Sequence, residues 1–300
     1  MSRIIYYYQT FCGLDKILVD NTPVTNIHLS SIHFGYDYNE QPYIHLNNLS
    51  PYHPDFDKVW SDLNKADKLG IKNILMVGGA GGGYASLFED FDTNYCLLYH
   101  VLKNKPCIHG VDLDIEEPVS LDNARKFIAK LIEDFGKDFI ITCAPVQSSL
   151  EQDVPGMGGF CYKDLLNSPE GKHIKYINGQ FYGDYSLQSY DAVIKNGYDS
   201  SMIVMGTMNS DVFDTVKKVA EKYGDKFGGV FFWEMAYVEP DPLTWAKQVA
   251  EDLRTFTLMT RGITIPVVRT FSIFTFWNII WWIIKFFTSG VNKVGKVRVL

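Results

Sequence analysis

The sequence predicts a (β/α)8 TIM barrel, on three observations. Eight short apolar or alternating segments have the length of β-strands. Segments with helical spacing lie between most of them, and this alternation is typical of a parallel sheet covered by helices. Polar residues gather where the strands end, which is where barrels build their sites. A doubly wound open sheet is the alternative, but eight strands are the number that a closed barrel needs.

The predicted elements follow one another along the chain in strand–helix order. The strands are apolar or alternating runs at residues 3–8, 27–35, 72–77, 108–115, 139–144, 174–182, 202–206 and 229–233. The helices have apolar residues at helical spacing at residues 55–69, 85–102, 120–135, 189–195, 211–223 and 242–256. The last two strands are separated only by the helix at 211–223. No insertion domain fits there, and a shallow, open groove is expected.

Composition favours one large domain, at residues 1–256, followed by a basic tail at 257–300. A hydrophobic content of 46% can fill a single barrel core. Residues 254–300 contain seven basic side chains and no acid, so the rest of the chain has a net charge of −14. An acidic body argues against nucleic acid as a ligand and suits a carbohydrate. Five widely spaced cysteines suggest neither a disulfide framework nor a zinc site. We expect a monomer that binds no metal and no cofactor.

The tail contains a candidate transmembrane helix at residues 267–287. Residues 270–284 are uncharged and rich in Phe, Trp and Ile, and flanking Arg269 and Lys285 can extend the span by reaching the lipid surface. Membrane lipid is therefore an expected partner, and a helix packed on the barrel or on another protein is the alternative. The apolar run at residues 4–8 is too short for a signal peptide. A membrane-anchored protein with a cytosolic barrel is expected, with a soluble intracellular protein as the alternative.

Three carboxylates recur with a period of two along the fourth predicted strand and its carboxyl end. Asp112, Asp114 and Glu116 therefore share one face. The opposite face is apolar, which predicts a strand buried on both sides. Like charges two residues apart on one face push at least one pKa upward. Such a cluster is typical of acid–base catalysis, whereas a solvated edge strand would leave its apolar face without a partner.

The glycine-rich stretch at residues 78–83 follows the third predicted strand. It is a weak match to a nucleotide-binding loop, because it starts about seventy residues into the chain, no Gly-Lys-Ser/Thr follows, and no acidic residue ends a next strand in the usual ribose-binding manner. We interpret these glycines as backbone that lets a bulky ligand approach the barrel mouth.

Residues 110–116, Gly-Val-Asp-Leu-Asp-Ile-Glu, resemble the Asp-Gly-x-Asp-x-Asp-x-Glu signature of glycoside hydrolase family 18, the chitinases and endo-β-N-acetylglucosaminidases. Other strands agree with the plant-type, single-domain members at Tyr6 and Gln9, Gly78-Gly79, Gln180-Phe181-Tyr182 and Trp233. The resemblance covers roughly residues 3–253. It implies that the substrate supplies its own nucleophile, the 2-acetamido group.

The resemblance assigns a role to each of four catalytic residues. Glu116 would be the general acid and later the base. Asp114 would hold the acetamido N–H while its carbonyl attacks the anomeric carbon, and Tyr182 would donate a hydrogen bond to that carbonyl. Asp112 would share charge with Asp114.

Four further residues are implied to bind the substrate. Trp233 would form the floor under the distorted sugar, and Gln180, Tyr6 and Gly79 would line the same pocket.

The chain departs from the family pattern at three positions. His109 stands where the signature begins with Asp, and Met76 stands where Ser usually occurs two residues before the glycine pair. Gly183 stands where Asn or Asp often follows the tyrosine of the sixth strand, and the neighbouring Asp184 could take over that role. The first two departures put the rate and pH optimum in doubt more than the reaction. We interpret His109 as structural, because no second metal ligand lies near it in sequence.

The sequence thus predicts an enzyme that hydrolyses β-1,4-linked N-acetylglucosamine in chitin oligomers or the N-glycan core. A non-catalytic glycan-binding protein on the same barrel is the main alternative; such proteins typically lose the final Glu of the signature, which is present here as Glu116. A membrane scaffold is a third class and would be indifferent to every pocket residue.

Overall fold

The structure, a computed structural model, describes residues 2–260 and the side chains of residues 2–254. The predicted helix at 267–287, and all but the first four residues of the tail at 257–300, lie outside the described residues. Within the part of the chain that the structure describes, no helix is both long and apolar enough to cross a bilayer.

Eight parallel strands form a closed barrel, which confirms the predicted fold class. The strands are β1 (Arg3–Tyr8), β2 (Asn26–Tyr36), β3 (Pro42–Leu46), β4 (Lys72–Gly78), β5 (Ile108–Asp114), β6 (Ile140–Cys143), β7 (Ile174–Gln180), β8 (Ile203–Thr207) and β9 (Gly229–Phe232). β1 pairs in parallel with both β9 and β2, and these two pairings close the sheet. The ninth strand, β3, is antiparallel to β2 and lies outside the barrel proper.

The helices surround the barrel. They are α1 (Asp57–Lys68), α2 (Tyr84–Glu89), α3 (Phe91–Asn104), α4 (Leu121–Phe135), α5 (Gln147–Glu151), α6 (Tyr162–Asn167), α7 (Leu187–Lys195), α8 (Phe213–Tyr223) and α9 (Pro242–Thr260). Between β8 and β9, all of whose residues the structure describes, α8 is the one α-helix. This connection contains no insertion domain, as the sequence predicts.

Two local predictions were wrong. The predicted helix at 85–102 is two helices, because the backbone of Asp90 is not helical (φ −137°, ψ 81°) and its carboxylate caps α3 by accepting the Thr93 N–H at 3.2 Å. The hairpin strand β3 was missed. Its turn is built by Asp37, whose Oδ1 accepts the N–H groups of Asn39 and Gln41 at 2.8 and 2.9 Å.

Side-chain alternation along the strands divides the core into two layers. Odd positions of β1, such as Ile5 and Tyr7, face the barrel interior with Met76 and Phe231. Even positions, such as Tyr6, face the helices. On β5 the order is as predicted, with Val111 and Leu113 outside and Asp112 and Asp114 inside.

Candidate active site

A pocket of about 940 Å³ opens at the carboxyl ends of the barrel strands. Six of the eight predicted site residues line it: Gly79, Asp114, Glu116, Gln180, Tyr182 and Trp233. Asp112 is fully buried one layer below, two residues before Asp114 on β5. The structure thus brings seven of the predicted residues to one end of the barrel, where the polar ends of parallel strands meet.

Gln180, at the end of β7, links the two outer carboxyl groups. Its Nε2 lies 3.1 Å from Asp114 Oδ1 and 3.1 Å from Glu116 Oε1, and it also donates to the Ala144 carbonyl at 2.8 Å. The amide thereby fixes Asp114 and Glu116 beside each other on one wall of the pocket. A group bound between them can be contacted by both carboxyls.

Asp112 accepts hydrogen bonds from residues of three other strands, β1, β6 and β7. Tyr7 Oη donates to Oδ2 at 2.7 Å, while Thr142 Oγ1 and Asn178 Nδ2 donate to Oδ1, the latter at 3.2 Å. His28 Nδ1 lies 3.3 Å from Oδ2, at ion-pair distance although outside hydrogen-bond geometry. Burial acts to raise the pKa of Asp112, but His28 and the hydroxyl donors outweigh it and hold that pKa below its ordinary value.

Asp114 is in the opposite electrostatic situation. Burial, and then the charges of Glu116 and Asp112, raise the pKa of Asp114 well above its ordinary value, against a smaller opposing effect of the Gln180 hydrogen bond. The expectation that like charges would raise one pKa in this cluster is met at Asp114, with burial as the larger cause. Asp112 therefore favours the anion and Asp114 the neutral acid.

Tyr182 and Trp233 supply aromatic surface to the pocket. Tyr182 is 38% exposed and packs edge-on against Phe231, with ring centroids 6.2 Å apart. Partial burial and the carboxyls of Asp114 and Glu116 raise the pKa of Tyr182 well above its ordinary value, so its hydroxyl stays a donor. Trp233 follows β9, and its ring lies 5.3 Å from that of Tyr7.

The glycine pair of β4 is required by the closeness of β5. Gly78 and Gly79 have φ of +93° and +91°, and a Cβ on Gly78 would lie 2.4 Å from the Asp114 carbonyl oxygen. Gly79 donates its N–H to that same oxygen at 2.8 Å, and a Cβ there would meet Met76 Cε at 2.8 Å. The glycines line the pocket, but their immediate close contacts are with the protein itself.

The β2–β3 hairpin forms a second wall that the sequence did not reveal. His33 lines the pocket, with its Nδ1 donating to the Gly82 carbonyl and its Nε2 facing Ser31 Oγ, both at 2.7 Å. Asn47 joins this wall to β1 by donating to the Gln9 carbonyl at 2.9 Å. Burial lowers the pKa of His33, which favours the neutral ring.

The fold has counterparts among known proteins. A fungal endo-β-N-acetylglucosaminidase from glycosyl hydrolase family 18 is 28% identical over 85% of this chain and 99% of its own, with a TM-score of 0.75. A chitinase from Aspergillus fumigatus is 28% identical over 84% of this chain and 100% of its own, with a TM-score of 0.73. The resemblance to glycoside hydrolase family 18 is confirmed.

Sequence comparison alone gives a shorter match. Concanavalin B from Canavalia ensiformis is 24% identical over 140 residues, which are 43% of this chain and 40% of that protein, so the match spans less than half of the curated relative. No protein-family model matches the chain.

One site residue carried over from family 18 was wrong. Tyr6 is fully buried on the helix side of β1, where its hydroxyl donates to the Pro242 carbonyl at 2.6 Å and its ring packs on Trp245. Strand alternation places the next residue, Tyr7, in the barrel, where it contacts Asp112. Tyr7 is therefore the residue of this pair that contacts the carboxylate cluster.

The departures from the family 18 pattern lie in different places. Met76 is buried in the barrel beside Asp112, its partner in the β4–β5 register. His109 lies at the other end of β5, where its Nδ1 accepts the Asn73 N–H at 3.1 Å and its Nε2 contacts Asp67 Oδ1 at 2.9 Å. These contacts agree with a structural role. Asp184 is exposed and does not line the pocket.

The residues around Asp112 were the ones that sequence reasoning missed. Tyr7, His28, Thr142 and Asn178 come from β1, β2, β6 and β7, and each faces the barrel interior. The only signal that could have found them is polarity at inward positions of otherwise apolar strands. Within the described residues, no group of three His, Cys, Asp or Glu side chains could hold a metal ion.

Proposed function

We propose that the protein hydrolyses β-1,4-linked N-acetylglucosamine glycans by substrate-assisted retaining catalysis. The observation that carries this proposal is the Gln180 amide, which joins Asp114 to Glu116 on one wall of the pocket. Glu116 is partly exposed there, as a general acid must be to reach a glycosidic oxygen. Asp114 lies beside it, within reach of an acetamido group on the same sugar.

The reaction begins when Glu116 gives its proton to the leaving oxygen. The 2-acetamido carbonyl of the sugar whose glycosidic bond is cleaved attacks the anomeric carbon of that same sugar, and an oxazolinium forms as the glycosidic bond breaks. Asp114 holds the acetamido nitrogen, and Tyr182 donates its hydroxyl to the acetamido oxygen. Glu116, now ionised, then takes a proton from water as the water opens the oxazolinium. No cofactor enters this sequence.

The substrate class includes two candidates. One similar structure is an endo-β-N-acetylglucosaminidase and another is a chitinase, so chitin oligomers and the N-glycan core are both proposed. Assays of one preparation on chitin oligomers and on a high-mannose glycopeptide distinguish them by their kcat/KM ratio. Hydrolysis of neither substrate, with sugar binding intact, would favour the second candidate, a non-catalytic glycan-binding protein on the same barrel.

The acetamido group itself is tested by removing it. A de-N-acetylated substrate should not be cleaved, because it has lost the nucleophile, and a thiazoline mimic of the oxazolinium should inhibit competitively. Cleavage of fully de-N-acetylated chains at a comparable rate would exclude the substrate-assisted route and point to a carboxylate of the protein as a direct nucleophile.

A further inference from the structure

His28 of β2 is buried inside the barrel with an oxygen atom near each ring nitrogen, at hydrogen-bond geometry for Nε2 and at ion-pair distance for Nδ1. Its Nδ1 lies 3.3 Å from Asp112 Oδ2, and its Nε2 lies 3.1 Å from the Tyr176 hydroxyl. The side chain is 0% exposed and does not line the pocket. It therefore has no contact with a substrate, and whatever it does for the reaction is done through Asp112.

The contacts around Asp112 determine where the His28 proton must lie. Both Asp112 oxygens already accept hydrogen bonds, from Tyr7 on one and from Thr142 and Asn178 on the other. A carboxylate that only accepts would repel a bare ring nitrogen, since both atoms would present lone pairs. The Nδ1 of His28 must therefore carry a proton.

The other ring nitrogen is compatible with this placement. The Tyr176 hydroxyl oxygen accepts from Asn26 Nδ2 at 3.0 Å, and its own proton can go to His28 Nε2. Alternatively, Nε2 donates to the same oxygen and the ring is an imidazolium. Tyr176 is itself held by the Arg3 guanidinium, which lies 4.2 Å from its ring centroid. In both cases Nδ1 faces Asp112 as a donor.

We infer that His28 is a positioning residue that keeps Asp112 as a carboxylate and thereby leaves the proton of the aspartate pair on Asp114. This inference rests on the proposed function, since only a reacting Asp114 gives the proton's position a kinetic consequence. His28 also supplies a polar group from β2 beside Asp112. Met76 of β4, which pairs with Asp112 in the β4–β5 register, supplies none.

Other groups around the pair cannot replace His28. Titratable groups also surround Asp112 and His28. They are Tyr7 of β1, Tyr176 of β7, Cys143 of β6, Asp114 at the end of β5, Glu116 after β5, Tyr182 after β7, Tyr84 of α2 and Tyr162 of α6. All are acids, neutral or negative. Burial raises the pKa of Cys143 and Asp114, so His28 is the basic group among them.

Two substitutions separate the ring nitrogens of His28. The amide of Asn can occupy the position of Nδ1, and the longer Gln can occupy that of Nε2. His28→Gln should therefore remove the donor to Asp112, raise its pKa, and let the pair take up its second proton at higher pH. The acid limb of kcat/KM should move up by about one pH unit, and by less in His28→Asn. An equal loss of rate at every pH in both variants, with no shift of the limb, would overturn the inference.

A substrate-free readout keeps this test independent of the proposed function. In wild-type protein labelled with 15N-histidine, the His28 resonance should report a protonated Nδ1; a resonance of an unprotonated Nδ1 would overturn the inference even if the variants failed to fold. The signal is identified by its response to Tyr176→Phe. If Nδ1 is protonated but no glycan is hydrolysed, the proposed function fails and the His28–Asp112 assignment stands.

His109→Gln is the matched control, because it removes another histidine that contacts an aspartate, His109 of β5 beside Asp67 of α1, away from the pocket. It should leave the acid limb unchanged, and a shift as large as that of His28→Gln would mean that any histidine loss perturbs the pair, which would also overturn the inference.

Discussion

The two ends of strand β5 each hold a histidine–aspartate pair, and the closer pair is the one with less influence on the site. At the amino end, His109 and Asp67 are 2.9 Å apart, but their side chains are 21% and 42% exposed. Inside the barrel, His28 and Asp112 are 3.3 Å apart and fully buried. Solvent screens the first pair, whereas burial leaves the second pair dependent on its neighbours. Exposure, more than distance, decides which pair can control chemistry.

The largest expected effect tests whether the carboxyl end of the barrel is catalytic. Glu116→Gln preserves the shape of the side chain but removes the transferable proton, so turnover should fall by about 10² to 10⁴-fold while sugar affinity remains. The measurement is kcat on the better substrate together with binding by calorimetry.

The neighbouring glutamate provides the control for that change. Glu117 does not line the pocket; its Oε1 accepts the Tyr84 N–H instead. Glu117→Gln retains an acceptor there and should keep wild-type turnover. Unchanged hydrolysis in Glu116→Gln would refute the enzyme assignment.

The next largest effect should distinguish two adjacent tyrosines on opposite faces of β1. Tyr7→Phe removes a donor from the buried Asp112 carboxylate and should lower kcat/KM roughly ten-fold, in line with about 1.5 kcal/mol for a hydrogen bond to a charged group. Tyr6→Phe removes a bond to the Pro242 carbonyl and should cost about 1 kcal/mol of unfolding free energy without changing kcat. Kinetics and urea unfolding of both variants test this; the reverse assignment of the two effects would contradict the structure.

These tyrosines also illustrate how far the sequence could predict the site. The period of two in residues 111–115 was sufficient to place Asp112 and Asp114 inside the barrel, because alternation within one strand depends only on that strand. The partners of Asp112 come from four other strands. Their meeting depends on the register between strands, which no single segment encodes. The prediction of Tyr6, in contrast, came from the resemblance to the first-strand motif of family 18, which did not determine the face of β1 on which this residue lies.

Local chemistry explains two differences between the predicted and the observed elements. The break at Asp90 depends on a capping hydrogen bond, and β3 depends on a turn built by Asp37. Both are formed by short polar side chains, while the helical and strand periods were read from the apolar ones. The hairpin matters for function because it carries His33 and leads to Asn47, which line the pocket.

A smaller effect is expected at the amino end of the barrel. His109→Gln disturbs a contact to Asp67 and an acceptor for the Asn73 N–H, and we expect a loss of about 1 kcal/mol in unfolding free energy with kcat unchanged. Urea unfolding alongside the glycan assay measures both quantities. If kcat fell while the unfolding free energy stayed the same, the His109–Asp67 pair would influence the reaction through β5. The distinction between the two histidine–aspartate pairs would then be wrong.

The smallest effect on hydrolysis should come from a change beyond both ends of the barrel. A chain ending at residue 260 retains α9 and the whole pocket, so its kcat should equal that of the full chain.

The location of the shortened chain should differ from that of the full chain, because the sequence of residues 267–287 predicts a membrane anchor. A charge at the middle of such a segment costs roughly 2.5 to 3.5 kcal/mol on insertion scales, so arginine substitutions there should also prevent anchoring. Full-length protein should therefore resist a carbonate wash of membranes, while the shortened chain and the double substitution Ile280→Arg, Ile283→Arg should be released. If the full chain is washed off as easily as the shortened one, the anchor prediction is wrong. Loss of folding on shortening would instead make the segment a packing helix, and the barrel's activity would then depend on residues outside its own strands.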